Sequence, residues 1–208
     1  MRNTWSAALV LILMSALGSG AGCRKNTVDK KAFERTLDDY LAGRQRCVWP
    51  APAKLPAQAD TSDSEQTKGF DALTDAGLLA RTPEQKQRFL IGSKEVNDYD
   101  LSGKGRSLWI VDASQPGYGN FCYGNPVVTS IDTYTPAANA SQTEYSVTCH
   151  FAVTQLADWA NTAEMRTAFP RIATDISGEQ TATATLTRNA DGWSVTDWKP
   201  ATTEIPAQ

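Results

Sequence analysis

Histidine is nearly missing from this chain: its 208 residues include one, His150. Without a second imidazole or carboxylates at ligand spacing a zinc site is not expected, and the sequence points to no metal or cofactor. No serine stands in a nucleophile-elbow pattern and no glycine-rich phosphate loop follows a strand; Gly117-Tyr118-Gly119-Asn120 and Ser102-Gly103-Lys104-Gly105 read as turns. No catalytic residue is therefore assigned. Positive charge is in short supply as well, with 20 Lys and Arg against 23 Asp and Glu. Phosphate binding is driven by clustered cations, so this balance argues against a general nucleic-acid or anionic-membrane binder. Long apolar runs are also wanting, since Ala7 to Leu17 falls well short of the about 20 residues that cross a bilayer.

That short stretch suits a different purpose. Behind Arg2 and ahead of the small residues Gly18 to Gly22, it has the form of a secretory signal core. Gly20-Ala21-Gly22-Cys23 resembles the lipobox of bacterial lipoproteins, with Gly20 where leucine is usual. The resemblance implies cleavage after residue 22, lipidation of Cys23, and attachment to the membrane through N-terminal acyl chains. Arg24, rather than an aspartate, follows the cysteine, which implies the outer membrane facing the periplasm if the cell is Gram-negative. A soluble periplasmic protein cut by ordinary signal peptidase is the other reading of the same residues.

Beyond the signal the periodicity changes twice. Phe33, Leu37, Tyr40 and Leu41 recur at i, i+4, i+7 and i+8, with Lys30, Glu34, Arg35 and Asp38 around the other face. That is an amphipathic helix, capped by Thr27 or Asp29 and ended by Gly43. Pro50, Pro52 and Pro56 then mark a loop. A second helix is predicted over Glu65 to Ala76, stopping at Gly77, and a third over Pro83 to Leu90; Asp98 to Leu101 and Arg106 to Val111 flank the Ser102 to Gly105 turn as a small hairpin, or as a strand leading into a further extended segment. From Ala113 the segments are β-rich: Val127 to Tyr134, Thr143 to Thr154, Gln180 to Thr187 and Gly192 to Trp198. In the third, Ala182, Ala184 and Leu186 alternate with threonines, leaving a small apolar face that another element can approach closely. A helix from Thr162 to Phe169, stopped by Pro170, is expected to take that place. The fold class read from this order is α+β: a helical N-terminal half, then an antiparallel sheet of about four strands with one packed helix. Residues 1–22 form the signal peptide, 23–112 the helical module and 113–208 the sheet module.

Two strings in the helical module invite comparison with DNA-binding proteins. Gly77-Leu78-Leu79, and Leu101-Ser102-Gly103-Lys104-Gly105-Arg106, resemble the end of the recognition helix and the wing's return strand in winged-helix domains of bacterial transcription regulators. The resemblance implies a winged-helix-like shape, but the charges argue against DNA binding. Residues 60–80 hold one positive side chain, Lys68, against Asp60, Asp63, Glu65, Asp71 and Asp75, a local charge of −4. A helix so charged is repelled by phosphates, so no nucleic-acid partner is expected.

With Cys23 assigned to lipid, Cys47, Cys122 and Cys149 remain, so one disulfide can form and one thiol is left over. Cys149 shares a strand face with Tyr145, Val147, Phe151 and Val153 and reads as a core thiol, while His150 points to the opposite face. Both Cys47–Cys122 and Cys122–Cys149 stand open on these grounds. A capped helix ending in Cys47 shortly before Trp49-Pro50, the two strings just described, and Gly119-Asn120-Phe121-Cys122-Tyr123-Gly124 opening a sheet together resemble a group of uncharacterised bacterial lipoproteins. That resemblance implies the Cys47–Cys122 pair. Trp109, Trp159, Trp193 and Trp198 form the candidate binding surface, weighed against an ordinary place in the core. The expected function is a non-enzymatic binding or accessory role for an exported, lipid-anchored envelope protein, with another envelope protein as partner. A periplasmic small-ligand binder with an aromatic pocket is the second reading, and an envelope-modifying enzyme the third.

Overall fold

The computed structural model describes residues 29–88, 92–137 and 142–201, so the signal stretch and Cys23 lie outside the described residues. Asp29 opens α1 (Lys30–Ala42), its carboxylate accepting from the Lys31 amide as a helix N-cap does. There follow β1 (Arg46–Cys47), β2 (Ala53–Lys54), β3 (Ala57–Asp60), α2 (Ser64–Asp75), β4 (Leu79–Arg88), β5 (Gly92–Leu101), α3 (Gly103–Leu108) and β6 (Trp109–Val111). The rest comprises β7 (Tyr118–Pro136), β8 (Glu144–Thr154), α4 (Ala163–Ala168), α5 (Pro170–Ile176), β9 (Gln180–Asn189) and β10 (Gly192–Pro200). A seven-stranded antiparallel sheet runs β1-β7-β8-β9-β10, with β2 and β6 also paired to β7, and a separate three-stranded sheet has the order β3-β5-β4. Among the described residues no helix is long and apolar enough to cross a membrane.

The chain is mostly β, with a large curled sheet, and this overturns the helical, winged-helix-like N-terminal half. Pro83 to Arg88 belong to β4, which pairs residue by residue with β5 from Leu79↔Leu101 to Arg88↔Gly92. The Thr82-Pro83 pair looks like a helix start, yet Pro83 stands on the edge strand of the small sheet, where a missing N–H is tolerated. The second flank of the expected hairpin also moves. Ser102 accepts from the Gly105 amide and caps α3, and Trp109–Val111 leave to pair with β7. Pro170 stops α4 at Ala168 as read and also opens α5 in its first turn, where its fixed φ is already helical.

The Gly-Leu-Leu and Leu-Ser-Gly-Lys-Gly-Arg strings do meet, but as a helix cap. Gly77 takes φ +75° at the end of α2, and the Leu78 amide reaches back to the Leu73 carbonyl as in a glycine-terminated helix. The carbonyls left over at this end are then taken one by one: Ala76 O by Lys104 Nζ at 2.9 Å, Gly77 O by Ser102 Oγ at 2.6 Å, and Leu78 O by the Ser102 amide at 3.0 Å. Gly105 fits against Leu78 because it lacks a Cβ.

Two apolar cores result. One gathers Leu73, Leu78, Tyr99, Phe121, Tyr123 and Met165 between α2, the small sheet and α4. The other sets Phe33, Leu37 and Leu41 of α1 against Val147, Phe151 and Leu186 of the large sheet. The Ala182 and Ala184 face shares its core with α1 and not with the Thr162 to Phe169 segment, whose Met165 is in the first core; the α1 backbone itself comes nearest to β7 and β10. α1 wins that place because its Phe33-Leu37-Leu41 stripe is at most 2 % exposed once docked, a larger apolar burial than the six-residue α4 can offer. Neither core respects a division at residue 112.

Candidate functional site

The two cores meet at a cluster of buried polar groups. Cys47 on β1 lies opposite Cys122 on β7, and the two are joined as a disulfide, the pair that the lipoprotein resemblance implied. The residues next to them, Arg46 and Tyr123, turn toward Asp175 of α5, which is 3 % exposed. The Tyr123 hydroxyl donates to Asp175 Oδ2 at 2.5 Å, Gln180 Nε2 donates to Oδ1 at 3.1 Å, and Arg46 Nε lies 3.6 Å from Oδ2. Burial, then the hydrogen bond to the Asp175 carboxylate, pushes the Tyr123 phenol up from its ordinary pKa. Burial likewise lowers the pKa of Arg46, opposed by the neighbouring Asp175 charge. Arg46 Nε has no hydrogen-bond partner, so its attraction to Asp175 is purely electrostatic there. The arrangement ties β1, β7, α5 and β9 together, which marks it as architecture.

A second polar group stands on the outer face of the large sheet. Pairing along β7 and β8 shifts between Val128 and Ser130 and again between Ile131 and Thr133, so Thr129 and Asp132 are the extra residues of two bulges. Bulges re-aim side chains, and here both reach the neighbourhood of His150. Asp132 Oδ2 lies 2.8 Å from His150 Nε2; Thr181 Oγ1 at 3.4 Å and Glu179 Oε2 at 3.8 Å face Nδ1. Thr129 donates to the other oxygen of Glu179. The two carboxylates thus lie at opposite nitrogens and do not converge on one point, and among the described residues no group of three or more His, Cys, Asp or Glu could hold a metal ion. Cys149 lies on the opposite face, fully buried, its thiol pushed up to about 11 by burial and then by the Asp132 charge. It is not bonded to His150, as strand alternation requires.

A depression of about 490 Å³ lies beside these groups, lined by Glu179, Gln180 and Thr181, and further concave surface lies between α2 and α4. One depression of about 300 Å³ is bounded by Trp49, Phe70, Phe169 and Pro170, with Gly69 among its lining. A second, about 370 Å³, continues along the helices past Ala72, Ala163, Asp75 and Glu164. Lys68 and Ala168 line both, so the two adjoin along the helix pair and are taken together as the α2/α4 cleft. The aromatic end is held firmly. Asn120, 9 % exposed, accepts from the Trp49 amide at 3.2 Å and donates to its carbonyl at 2.8 Å, and the Trp49 ring meets Phe70, Trp109, Phe121 and Phe169 with centroids 6.3 to 6.5 Å apart. At the acidic end Asp71 is already engaged, by Arg81 at 2.7 Å and by the Tyr99 hydroxyl at 2.8 Å.

The tryptophans singled out from the sequence do not form one surface. Trp159 is buried in the first core and Trp109 packs beside it; Trp193 and Trp198 pack on the second, against Phe33 at 4.9 Å and Phe151 at 5.5 Å. Trp49, the one that borders the cleft, carried a single signal, its place two residues after Cys47. Arg46 and Asp175 had none, because their meeting depends on long-range pairing. Compared with protein-family models, with curated proteins and with solved structures, the chain finds no match in any of the three.

Proposed function

We propose that this is an exported bacterial envelope protein, held to the membrane through acyl chains on Cys23, whose folded part binds a partner and performs no reaction of its own. In a Gram-negative cell the residue after the anchor, Arg24, directs it to the outer membrane facing the periplasm. The observation that carries the binding role is the α2/α4 cleft, with a rigid aromatic end and an exposed acidic end. Aromatic anchors beside exposed charge are the chemistry of recognition surfaces. Export is supported by the signal-like N-terminal residues and by the Cys47–Cys122 bond, since disulfides persist in oxidising compartments and are rare in a reducing cytosol. The test is metabolic labelling with radioactive palmitate in bacterial cells, followed by membrane fractionation. Label in the natural chain and none in Cys23→Ala is the expected result. Label that survives the substitution, or a natural chain recovered reduced from the cytosol, refutes the anchor or the export.

A further inference from the structure

Building on that binding role, we propose that the α2/α4 cleft takes an extended cationic peptide, one with an aromatic or aliphatic side chain two residues from a lysine or arginine. The cleft is elongated and runs along two helices laid antiparallel, since Glu65 to Phe70 face Ala168 to Pro170 at one end and Asp71 to Asp75 face Ala163 to Thr167 at the other. Such a shape suits a chain segment better than a compact molecule. At the first end the walls are the rings of Trp49, Phe70 and Phe169, and Phe169 packs directly on Gly69, where a Cβ would come within 3.1 Å of its Cζ. This end accepts an apolar side chain.

The other end selects charge. Asp75 and Glu164 are exposed, and among the described residues neither has an ion-pair partner. Asp71 is neutralised by Arg81, so the remaining charges lining this end are two carboxylates, Asp75 and Glu164, against one ammonium, Lys68, an excess of one negative charge. Lys68 lines both depressions. Gly69 and Asp75 are six residues apart on α2, which at about 1.5 Å per residue is about 9 Å. In an extended peptide, side chains two residues apart point the same way about 7 Å apart, and a lysine stem spans the remainder. An anionic ligand would meet Asp75 and Glu164 head-on, and a cationic one is attracted by both.

The probe is a fluorescein-labelled peptide, Ala-Ala-Phe-Ala-Lys-Ala, titrated by fluorescence anisotropy with the disulfide-bonded protein. Saturable binding is expected, weakened at least about fivefold when the peptide's lysine becomes glutamate or its phenylalanine becomes alanine, a size consistent with exposed ion pairs and one apolar anchor. The protein variant Asp75→Lys/Glu164→Lys, both positions being exposed, keeps its unfolding midpoint and reverses the preference, binding the glutamate peptide better than the lysine one. Absence of saturable binding, or an unchanged preference in the charge-reversed variant, overturns the inference. This readout is independent of palmitate labelling: loss of peptide binding with labelling intact removes this ligand class alone, and loss of labelling with the peptide preference intact removes the anchor alone.

Discussion

Removing the Asp175 carboxylate should destabilise this protein more than any other single polar truncation described above. Asp175→Ala leaves two donors without their acceptor, the Tyr123 hydroxyl and Gln180 Nε2, and takes the counter-charge from Arg46, whose side chain is 14 % exposed. Breaking a buried ion pair from one side costs about 3 to 5 kcal/mol, because the surviving charge stays desolvated. Arg46 Nε already lacks a hydrogen-bond partner, so the Asp175 charge is what offsets its burial, and a loss within that range is expected. With a urea m-value of about 2 kcal/mol/M for a chain of this size, the unfolding midpoint should fall by about 2 M under oxidising conditions. Asp175→Asn keeps one acceptor and the shape and should lose less, about 1 to 3 kcal/mol. The double variant Arg46→Met/Asp175→Leu removes both charges and should unfold later than Asp175→Ala. If Asp175→Ala unfolds within about 1 kcal/mol of the natural chain, or if the double variant is the least stable of the set, the cluster does not join the cores as described.

Three further outcomes can be checked. Gly105→Ala would drive a Cβ into the Leu78 carbonyl oxygen and should cost about 3 kcal/mol or more by denaturant unfolding, while Gly103→Ala, with nothing within 4 Å, should stay within about 0.5 kcal/mol. Asp60 is held down to about 2 by its hydrogen bond from Lys94, with further bonds from Ser62. Because that lies below the unfolded value, its stabilising effect is full above roughly pH 4 and is lost as pH falls toward 2; a carboxyl NMR titration giving an ordinary midpoint near 4 would contradict this. With its pKa raised to about 11, the Cys149 thiol is ionised to roughly one part in a thousand at pH 8, so iodoacetamide should spare it in the folded protein and alkylate it rapidly in urea, as mass spectrometry would show.

The parts of the fold legible in the sequence are those where one face is buried and the other is wet. α1 announces itself because Phe33, Leu37 and Leu41 recur on one stripe, and the β8 pattern correctly sends Cys149 inward and His150 outward. β4 failed for the opposite reason. Arg81 to Lys86 are exposed throughout, so no period-2 pattern exists to read, and Thr82-Pro83 filled the silence with a helix signal. The Gly-Leu-Leu and Leu-Ser-Gly-Lys-Gly-Arg strings pointed to a real contact between distant residues, but their meaning was a capped helix end. The cleft was illegible because its walls come from separate stretches, Trp49, α2 and Phe169, none of which is unusual alone. Which helix would cover Ala182 and Ala184 is a tertiary choice that chain order does not make.

The seating of α1 also has a bearing on time. Its ring Phe33 is enclosed by Tyr145 of β8 and Trp193 of β10, and its Tyr40 lies against Trp198. The first helix described is therefore completed by the last strand, and contacts of such long sequence separation form slowly. Until β10 is delivered, α1 has one wall missing and the large sheet has no lid. The second core therefore cannot close progressively from the N-terminal side; it is complete only once β10 is in place.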